Sequence, residues 1–340
     1  MGKVRILLLK PTGDDSAPED QSLGAYLAAT QGPTRDQVDL EQDSFQRGAM
    51  DHLEKVLRQW ADKISGVVGA TNVPESKKLG EMAEELNLLC FVSNNNPEVW
   101  QHRSHIFHIG VPTTMIGSGI AEGLLRDVGF SRVYLLHDST EFQRSLASAT
   151  ARSLEKCGVK VRSQLGSLRD WLDDVRSWKP DLLYLVYSNE SPALPLAQSL
   201  RRSLPEMPLL VGMSLLRHTF LSSLGEVAEG VLCVDIFQRR VPQREQEKIF
   251  MSALRQAGVR IHTANHGFGW DAMILCGKAL SKVNGTVSSA IQYLESGINL
   301  EGATGYYRFG RENHNGRVAF SPILLSRVHN DLVEPYAAAR

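Results

Sequence analysis

The sequence predicts an α/β protein built of two Rossmann-like lobes, each a parallel sheet flanked by helices. Two observations lead to this prediction. Short apolar runs alternate with helical patterns along the whole chain, and the alternation starts again near Ser131. The runs are rich in Val, Ile and Leu without strict polar alternation, which is typical of parallel strands covered on both faces. Strands that alternate with helices favour right-handed crossovers and doubly wound sheets, and the units are too many for one sheet.

Local signals place the individual elements. Leu53 and Val56 belong to a helical repeat, and Pro74 suits the first turn of a helix. Polar loops containing Gly or Pro are predicted at Asp14–Asp20 and Gly32–Asp43. The predicted strands are Arg5–Leu9, Gly66–Gly69, Leu89–Val92, Ile106–Ile109, Arg132–Leu136, Lys160–Arg162, Leu182–Tyr187, Leu209–Val211 and Gly230–Val234. The predicted helices are Gln46–Asp62, Glu75–Leu86, Ser118–Val128, Phe142–Cys157, Leu168–Trp178, Gln243–Gln256 and Trp270–Val283.

Composition narrows the classes of partner. The 340 residues carry 37 basic and 38 acidic side chains, a net charge of −1, which gives no global reason to expect nucleic acid or an acidic membrane surface as a partner. No apolar run approaches the ~20 residues of a membrane span. The run Val4–Leu9 is too short for the apolar core of a signal peptide. Two locations remain open, the cytoplasm and, for a mature chain whose leader has been removed, the periplasm.

No metal or cofactor is predicted. His102, His105 and His108 are spaced by three, but a strand over His105–Ile109 would scatter their rings, and no carboxylate or cysteine accompanies them. The cysteines lack C-x-x-C spacing, which disfavours zinc and thioredoxin-type sites. Each lies in or beside an apolar segment, so we expect four buried thiols. The cysteines are Cys90, Cys157, Cys233 and Cys276.

Polar residues follow most predicted strands. Ligands of open α/β sheets bind beyond the carboxyl ends of the strands, where these residues would lie. They are mostly neutral hydrogen-bonding groups without a nucleophile–base pair, so they favour reversible capture of a small polar or carboxylated molecule. The alternative is that Ser, Thr and Asn cap the following helix. The predicted ligand contacts are Thr12, Asn72, Ser93, Asn94, Thr113, Phe142, Tyr187 and Ser214.

Several stretches, in order and spacing, resemble one family. They are GVVGATNVPESKKLGEMAEELNLLCFVSNNNPEV, then HIFHIGVPTTMIGSGIAEGLLRDVGFSRVYLLHDS, GFGWDAMILCGKAL and the closing GATGYYRFGRENHNGRVAFSPILLSRV. Together they resemble the type I periplasmic binding proteins, specifically the branched-chain amino-acid receptors of ABC transporters. The resemblance covers nearly the whole chain from about Ser65 onward.

The resemblance implies two lobes joined by a three-strand hinge, with a ligand cleft between them. It also implies a solute-binding receptor without enzymatic activity. The ligand would shift the population toward a closed form that a membrane permease reads. Lobe I would hold residues 1–112 and 237–306, lobe II residues 113–236 and 307–340, with crossovers near Pro112–Thr113, Asp235–Phe237 and Tyr307–Phe309.

Departures from the family bear on the ligand. The opening is shorter and more polar than usual, and its first helix is predicted to be abbreviated. Ser214 stands where the amino-acid receptors place an acidic residue, and Thr113 or Thr114 where an aspartate is common. An ammonium group without an anionic partner in a closed cleft would be costly. We therefore expect an aromatic or branched acid, or an amide, rather than a standard α-amino acid, with Phe142 and Tyr187 as flat apolar walls.

Two other functions stay open. The first is a cytoplasmic ligand sensor of the same fold that controls a regulator by protein contact. The second is an enzyme on a two-lobe scaffold, for which His137 and Asp138 are the nearest reactive pair. Adjacent strand residues point to opposite faces of a sheet, so they make poor partners.

Overall fold

A computed structural model describes residues 2–13, 16–69, 72–94, 96–166, 170–235, 242, 244–259, 261–320, 323–330 and 332–336. The first half of the chain contains β1 Val4–Thr12, α1 Ser16–Gln31, β2 Val38–Gln46, α2 Met50–Trp60, β3 Gly66–Gly69, α3 Val73–Glu85, β4 Leu89–Val92, β5 Ile106–His108, α4 Thr113–Asp127, β6 Arg132–His137, α5 Glu141–Lys156 and β7 Lys160–Leu165. The rest contains α6 Trp171–Trp178, β8 Leu182–Val186, α7 Glu190–Ser203, β9 Leu209–Val211, α8 His218–Leu224, β10 Leu232–Asp235, α9 Glu245–Gln256, α10 Ala264–Lys282, α11 Val287–Glu295, β11 Leu300–Glu301, β12 Gly305–Tyr307, β13 Arg317–Phe320, β14 Leu324–His329 and β15 Leu332–Pro335.

The chain forms two compact units, each assembled from separate stretches of sequence. The first unit contains Met1–Val111, Pro242–Val259 and Ala264–Ser321. The second contains Pro112–Val241, Arg260–Thr263 and Pro322–Arg340. The α/β class predicted from the sequence is confirmed, with parallel sheets flanked by helices.

The first unit contains a five-stranded parallel sheet in the order β2-β1-β3-β4-β5. Strands β3 and β4 are buried along their whole length, which explains their continuous apolar sequence. The edge strand β2 was missed, because Gly32–Asp43 reads as a polar loop. Only Val38 and Phe45 of this strand are buried, so its sequence lacks the apolar run of an inner strand.

The prediction of a loop at Asp14–Asp20 and of an abbreviated first helix is also wrong, because α1 has 16 residues. Its buried positions include Gln21, Ser22 and Gly24, so no apolar stripe marks the helix in the sequence. Helix α1 packs closely on α10. A Cβ atom added to Gly269 would lie 1.8 Å from the carbonyl oxygen of Gln21, and one added to Gly24 would lie 1.9 Å from that of His266.

The segment after α11 packs against the rest of the first unit. Strands β11, β12 and β13 form an antiparallel sheet, and Arg317 of β13 donates hydrogen bonds to the carbonyls of Ile109 (2.5 Å) and Gly110 (3.1 Å). These contacts place residues 307–320 in the first unit, whereas the sequence assigned them to lobe II with a crossover near Tyr307–Phe309. The predicted crossover at Asp235–Phe237 extends outside the described residues.

A buried charged cluster holds this segment in place. The carboxylate of Asp271 is fully buried and accepts hydrogen bonds from the backbone N–H groups of Ala303 (2.5 Å) and Thr304 (3.0 Å). It also accepts from the hydroxyls of Thr304 (2.5 Å) and Tyr307 (2.7 Å). The guanidinium of Arg317 donates to the Tyr307 hydroxyl (2.6 Å) and to both oxygens of Thr304 (2.9 and 3.0 Å). We call Asp271, Thr304, Tyr307 and Arg317 the Asp271 cluster.

The second unit contains a seven-stranded sheet in the order β15-β14-β10-β9-β8-β6-β7. Strands β6 to β10 run parallel, and β14 and β15 add antiparallel strands at one edge. Trp171, Leu183, Leu196 and Phe220 belong to the apolar core on one side of this sheet.

Other differences concern ends and exposure. Helix α4 begins at Thr113 rather than Ser118, and α10 begins at Ala264 rather than Trp270. Three of the cysteines are buried as expected, but Cys157 at the end of α5 is exposed. Among the described residues, no helix is both long and apolar enough to cross a membrane.

Candidate functional site

The carboxyl ends of β1, β3, β4 and β5 meet at one edge of the first unit's parallel sheet, where four predicted residues lie. Ser93 follows β4, and its hydroxyl donates to the Gln21 side-chain oxygen (2.8 Å). The amide nitrogen of Gln21 in turn donates to the carbonyl of Gly69, the last residue of β3 (3.4 Å). Gln21 is 4% exposed, so it links the ends of two strands from a buried position.

Gln21 was missed by the sequence analysis. Gln21 could be recognised as part of this edge only if α1 were predicted, because the helix over residues 16–31 brings its side chain to the strand ends. The helix itself has no apolar stripe, so the sequence provided no reason to examine its polar face.

Asn72 begins α3 and forms a capping box with Glu75. Its side-chain oxygen accepts from the Glu75 backbone N–H (3.1 Å), and the Glu75 carboxylate accepts from the Asn72 N–H (3.3 Å). Glu75 is fully buried and also accepts from the Gly48 N–H (2.8 Å). The capping interpretation therefore accounts for the side-chain oxygen of Asn72. Its amide nitrogen has no hydrogen bond among the described residues, so it is the part open to a ligand.

The other two predicted residues of this edge also bind locally. The Thr12 hydroxyl, exposed at the end of β1, donates to the Phe45 carbonyl (3.2 Å). The Asn94 side-chain oxygen accepts from the Asn96 N–H (2.8 Å), which shapes the loop after β4. These contacts give the edge a fixed backbone.

His108 ends β5 and is fully buried beside this edge. Its ring stacks on Trp100 with centroids 3.9 Å apart, and its Nδ1 lies 3.2 Å from the Asn315 side-chain oxygen. Burial, together with a smaller effect of the positive charge of Arg317, lowers the pKa of His108 to about 3, although the hydrogen bond to Asn315 opposes the shift. The imidazole is therefore neutral at physiological pH. Its Nε2 has no hydrogen-bond partner among the described residues.

In the second unit, Asp138 holds together the ends of two strands. One carboxylate oxygen accepts from the backbone N–H (2.9 Å) and hydroxyl (2.5 Å) of Thr140, and the other accepts from the Ser188 N–H (2.7 Å). The hydroxyls of Thr140 and Ser188 lie 3.2 Å apart. Asp138 follows β6 in a loop, and its backbone carbonyl contacts His137 Nδ1 at 2.8 Å. The carboxylate thus fixes loops rather than serving a reactive pair with the histidine.

Four of the predicted contacts belong to the second unit. Two of them, Thr113 and Ser214, have polar partners, and a third, Phe142, is partly exposed to solvent. The Thr113 hydroxyl lies 3.0 Å from that of Ser145. The Ser214 hydroxyl accepts from the buried amide of Gln143 (3.4 Å). Phe142 is half-buried in the first turn of α5.

Tyr187 lies in the apolar core of the second unit and is 3% exposed. Its hydroxyl is buried without a hydrogen-bond partner among the described residues. A Cβ atom added to Gly166 would lie 1.8 Å from that hydroxyl oxygen, so the ring fills the space beside this glycine. Burial and the neighbouring Asp138 carboxylate raise the pKa of Tyr187 to about 12. The aromatic wall that the sequence predicts at Tyr187 is thus a core side chain in this structure.

Each edge therefore presents hydroxyls, amides and backbone groups that are already oriented. Among the described residues, no hydrogen bond joins two of the eight predicted contacts to each other. Six of them are oriented instead by hydrogen bonds to other residues such as Gln21, Glu75, Ser145 and Gln143, whereas the hydroxyl of Tyr187 has no such partner among the described residues. Such groups bind a polar molecule by hydrogen bonds and supply no obvious nucleophile.

Comparisons with known proteins agree on the fold. The model of the periplasmic binding protein family matches residues 47–328. A leucine-binding protein from Thermotoga maritima superposes with a TM-score of 0.81 at 18% identity, over 98% of each chain. An ABC transporter substrate-binding protein from Desulfitobacterium hafniense, in complex with Leu, gives 0.76 at 20% identity, over 98% of this chain and 99% of that chain. A type 1 periplasmic binding protein from Bordetella pertussis gives 0.78 at 16% identity, over 98% and 99%. No curated protein matches the sequence significantly.

Proposed function

Because the chain belongs to the periplasmic binding protein family, we propose that it is the substrate-binding receptor of an ABC transporter. The ligand stabilises a closed form, which a membrane permease recognises. The observation that carries the proposal is the character of the two strand edges, where pre-oriented neutral donors and acceptors take the place of a catalytic pair. The receptor works in the periplasm and releases its ligand unchanged.

The ligand we propose is carboxylated or neutral, an aromatic or branched acid or an amide. At the edge of the second unit, both oxygens of the Asp138 carboxylate already accept hydrogen bonds from the protein. Ser214 and Thr113 contribute hydroxyls, which do not neutralise an ammonium group. A buried ammonium without an anion is costly, so a standard α-amino acid fits poorly.

A matched set of ligands tests this class. Leucine, 4-methyl-2-oxopentanoic acid and 4-methylpentanamide share one branched side chain. Leucine has both an ammonium and a carboxylate group, the oxo acid has only the carboxylate, and the amide has neither. We expect the oxo acid or the amide, or an aromatic acid added to the set, to raise the melting temperature and to give a binding isotherm, since a ligand of the native state stabilises by mass action. Leucine as the tightest binder would contradict the ligand class. Failure of every compound in a wider panel of acids, amides and sugars would contradict the receptor function itself.

Substitutions at Asn72 separate binding from folding. Asn72→Ala removes the cap of α3 and should cost about 1 kcal/mol of stability as well as the amide contact. Asn72→Ser keeps a capping oxygen and loses only the amide nitrogen, so it should weaken ligand binding while leaving the unfolding midpoint nearly unchanged. The measurements are calorimetric affinity and urea unfolding. Unchanged affinity in Asn72→Ser would remove this residue from the proposed site.

Location and partner are tested in cells. We expect the protein in the fraction released by osmotic shock, and we expect the ligand-bound form to bind its permease more tightly than the free form. Recovery of the protein only from the cytoplasm would favour the sensor function over transport.

A further inference from the structure

A large open cavity lies at the opposite edge of the first unit's sheet from the candidate site. Its volume is about 1000 Å³. The wall is formed by the start of β1, the segments before β2 and β3, the end of α10 and part of α11, so it lies where the parallel strands begin. We call it the amino-edge cavity. Its size suits a ligand of several groups rather than a single small ion.

The charge of this cavity is strongly one-sided. Five basic side chains line it against one acidic side chain, although the whole chain has 37 basic and 38 acidic residues. These residues come from four separate parts of the fold, so no single charged helix face explains the cluster. The basic residues are Lys3, Arg5, Lys63, Lys278 and Lys282, and the acidic residue is Asp36.

The fold neutralises only part of this charge. Lys3 pairs with Asp39 at 3.7 Å, and Asp36 pairs with Arg35 at 3.6 Å. Among the described residues, no ion pair within 4.0 Å is formed by the other cavity cations Arg5, Lys63, Lys278 and Lys282. Among the described residues, most cations of the cavity therefore lack a direct ion-pair partner, and like charges that share one cavity repel each other unless an anion is bound.

Two further groups at the end of α10 point to a ligand. Lys278 is partly buried, and desolvation lowers its pKa, with Glu301 and Asp271 opposing the shift. The hydroxyl oxygen of Ser281 is buried and has no hydrogen-bond partner among the described residues. A helical serine commonly binds the carbonyl one turn earlier, and a buried hydroxyl without a partner is costly. An oxyanion would accept from both side chains at once.

Lys282 alone has an ordinary explanation, since a cation in the last turn of a helix interacts favourably with the helix dipole. That explanation does not extend to Lys3, Arg5 and Lys63, which lie at or just before the start of β1 and in the segment before β3. It also does not account for the buried hydroxyl of Ser281.

We propose that the amino-edge cavity binds a small multivalent oxyanion of the polyphosphate class. Several ammonium groups and a guanidinium surround a volume that a chain of phosphates can span, and Ser281 supplies a neutral donor. This site is separate from the ligand site at the carboxyl edge, so its test does not depend on the transport function.

Calorimetry with inorganic triphosphate on the full chain tests the proposal, with monophosphate and citrate as comparison anions. We expect triphosphate to bind with a dissociation constant below about 1 mM, more tightly than either comparison anion, and less tightly as salt increases. The double variant Lys278→Gln/Lys282→Gln should lose about tenfold in affinity. Ser281→Ala, which keeps every charge, should lose about fivefold.

The matched control is Lys156→Gln/Lys160→Gln in the second unit. It removes the same charge, both lysines are exposed, and Lys156 occupies the last turn of α5 as Lys282 does in α10. This variant should bind triphosphate like the unmodified protein. Three results would overturn the proposal: no triphosphate binding, equal losses in the control and the cavity variants, or citrate binding as tight as triphosphate binding.

Discussion

Two basic side chains of the first unit stand in opposite electrostatic positions. Arg317 is 7% exposed, and its guanidinium is surrounded by carbonyls and hydroxyls of the Asp271 cluster and of the segment after β5. Lys278 is partly open at the amino-edge cavity, where cations outnumber acids. Arg317 thus donates to several buried acceptors, whereas Lys278 forms no ion pair within 4.0 Å with any residue that the structure describes.

The difference separates a structural charge from a charge available for binding. Burying a charged group is tolerable when its hydrogen-bonding capacity is satisfied, as it is for Arg317. For Lys278, burial disfavours the ammonium form more than the negative charges of Glu301 and Asp271 favour it, so its pKa is lowered. Substitution of the two residues should therefore change stability in opposite directions.

The largest effect is expected at the Asp271 cluster. Arg317→Met keeps much of the side-chain volume but leaves the Asp271 carboxylate in a buried site without the nearby positive charge, and should cost about 3–5 kcal/mol. Arg317→Lys keeps the charge and loses the fork of donors, so its loss should be intermediate. Urea unfolding at pH 7 gives both values. A loss no larger than that of an exposed arginine such as Arg35 would show that the cluster contributes little.

The second prediction concerns the pH dependence of stability and the buried imidazole of His108, which stays neutral and forms no ion pair among the described residues. The pKa of His108 is about 3 in the folded protein, against the ordinary histidine value of 6.5. At pH values between 3 and 6.5, the unfolded chain therefore binds the proton more readily than the folded protein does. His108 therefore does not reduce the free energy of unfolding above pH 6.5. As the pH falls toward 3 the free energy of unfolding decreases, and at pH 4.5 the loss due to His108 is about 3 kcal/mol.

His108→Phe preserves a ring against Trp100 and removes the proton site, so unfolding curves at pH 7 and 4.5 should lie closer together than in the unmodified protein. His52→Gln, at an exposed histidine, is the control and should retain the full difference. The same acid sensitivity in His108→Phe would assign it to other groups.

The smallest effect is expected at Lys278. Because its folded pKa is lowered, the charged lysine disfavours folding at pH 7, and Lys278→Met should raise stability by less than about 1 kcal/mol after solvent screening. The gain should shrink when triphosphate is present, since the unmodified cavity has one more cation and binds the anion more tightly. A clear loss of stability without added anion would mean that Lys278 is compensated by the fold after all.

The sequence predicted the inner strands well because burial on both faces leaves an unbroken apolar run. Strands β3 and β4 match their predicted bounds, and β9 does as well. The edge strand β2 and the helix α1 lack such a signal. In β2 only two residues are fully buried, and in α1 polar and small residues occupy the face that packs.

The topology of parallel strands predicts the position of the candidate site, because these strands end at a common edge, and the structure places Asn72 and Ser93 at that edge. Their role as ligand contacts stays a prediction. Tyr187 shows the limit. It has the same alternation as Leu183 and Leu185, and all three side chains belong to one core cluster. The alternation of side chains along a strand therefore directs Tyr187 into the core. The sequence analysis treated Tyr187 as a residue that follows the strand and did not apply this alternation to it. Gln21 was beyond reach, because its contact with Ser93 spans 72 positions of sequence.

The tight seam between α1 and α10 has a consequence for mutagenesis. Gly269 leaves room for the backbone of Gln21, the residue whose side chain orients the Ser93 hydroxyl and the end of β3. Any bulkier residue at Gly269 must push that backbone away, and the displacement is passed on to Ser93. A substitution at Gly269 should therefore alter the proposed ligand site around Ser93 without itself contacting the ligand.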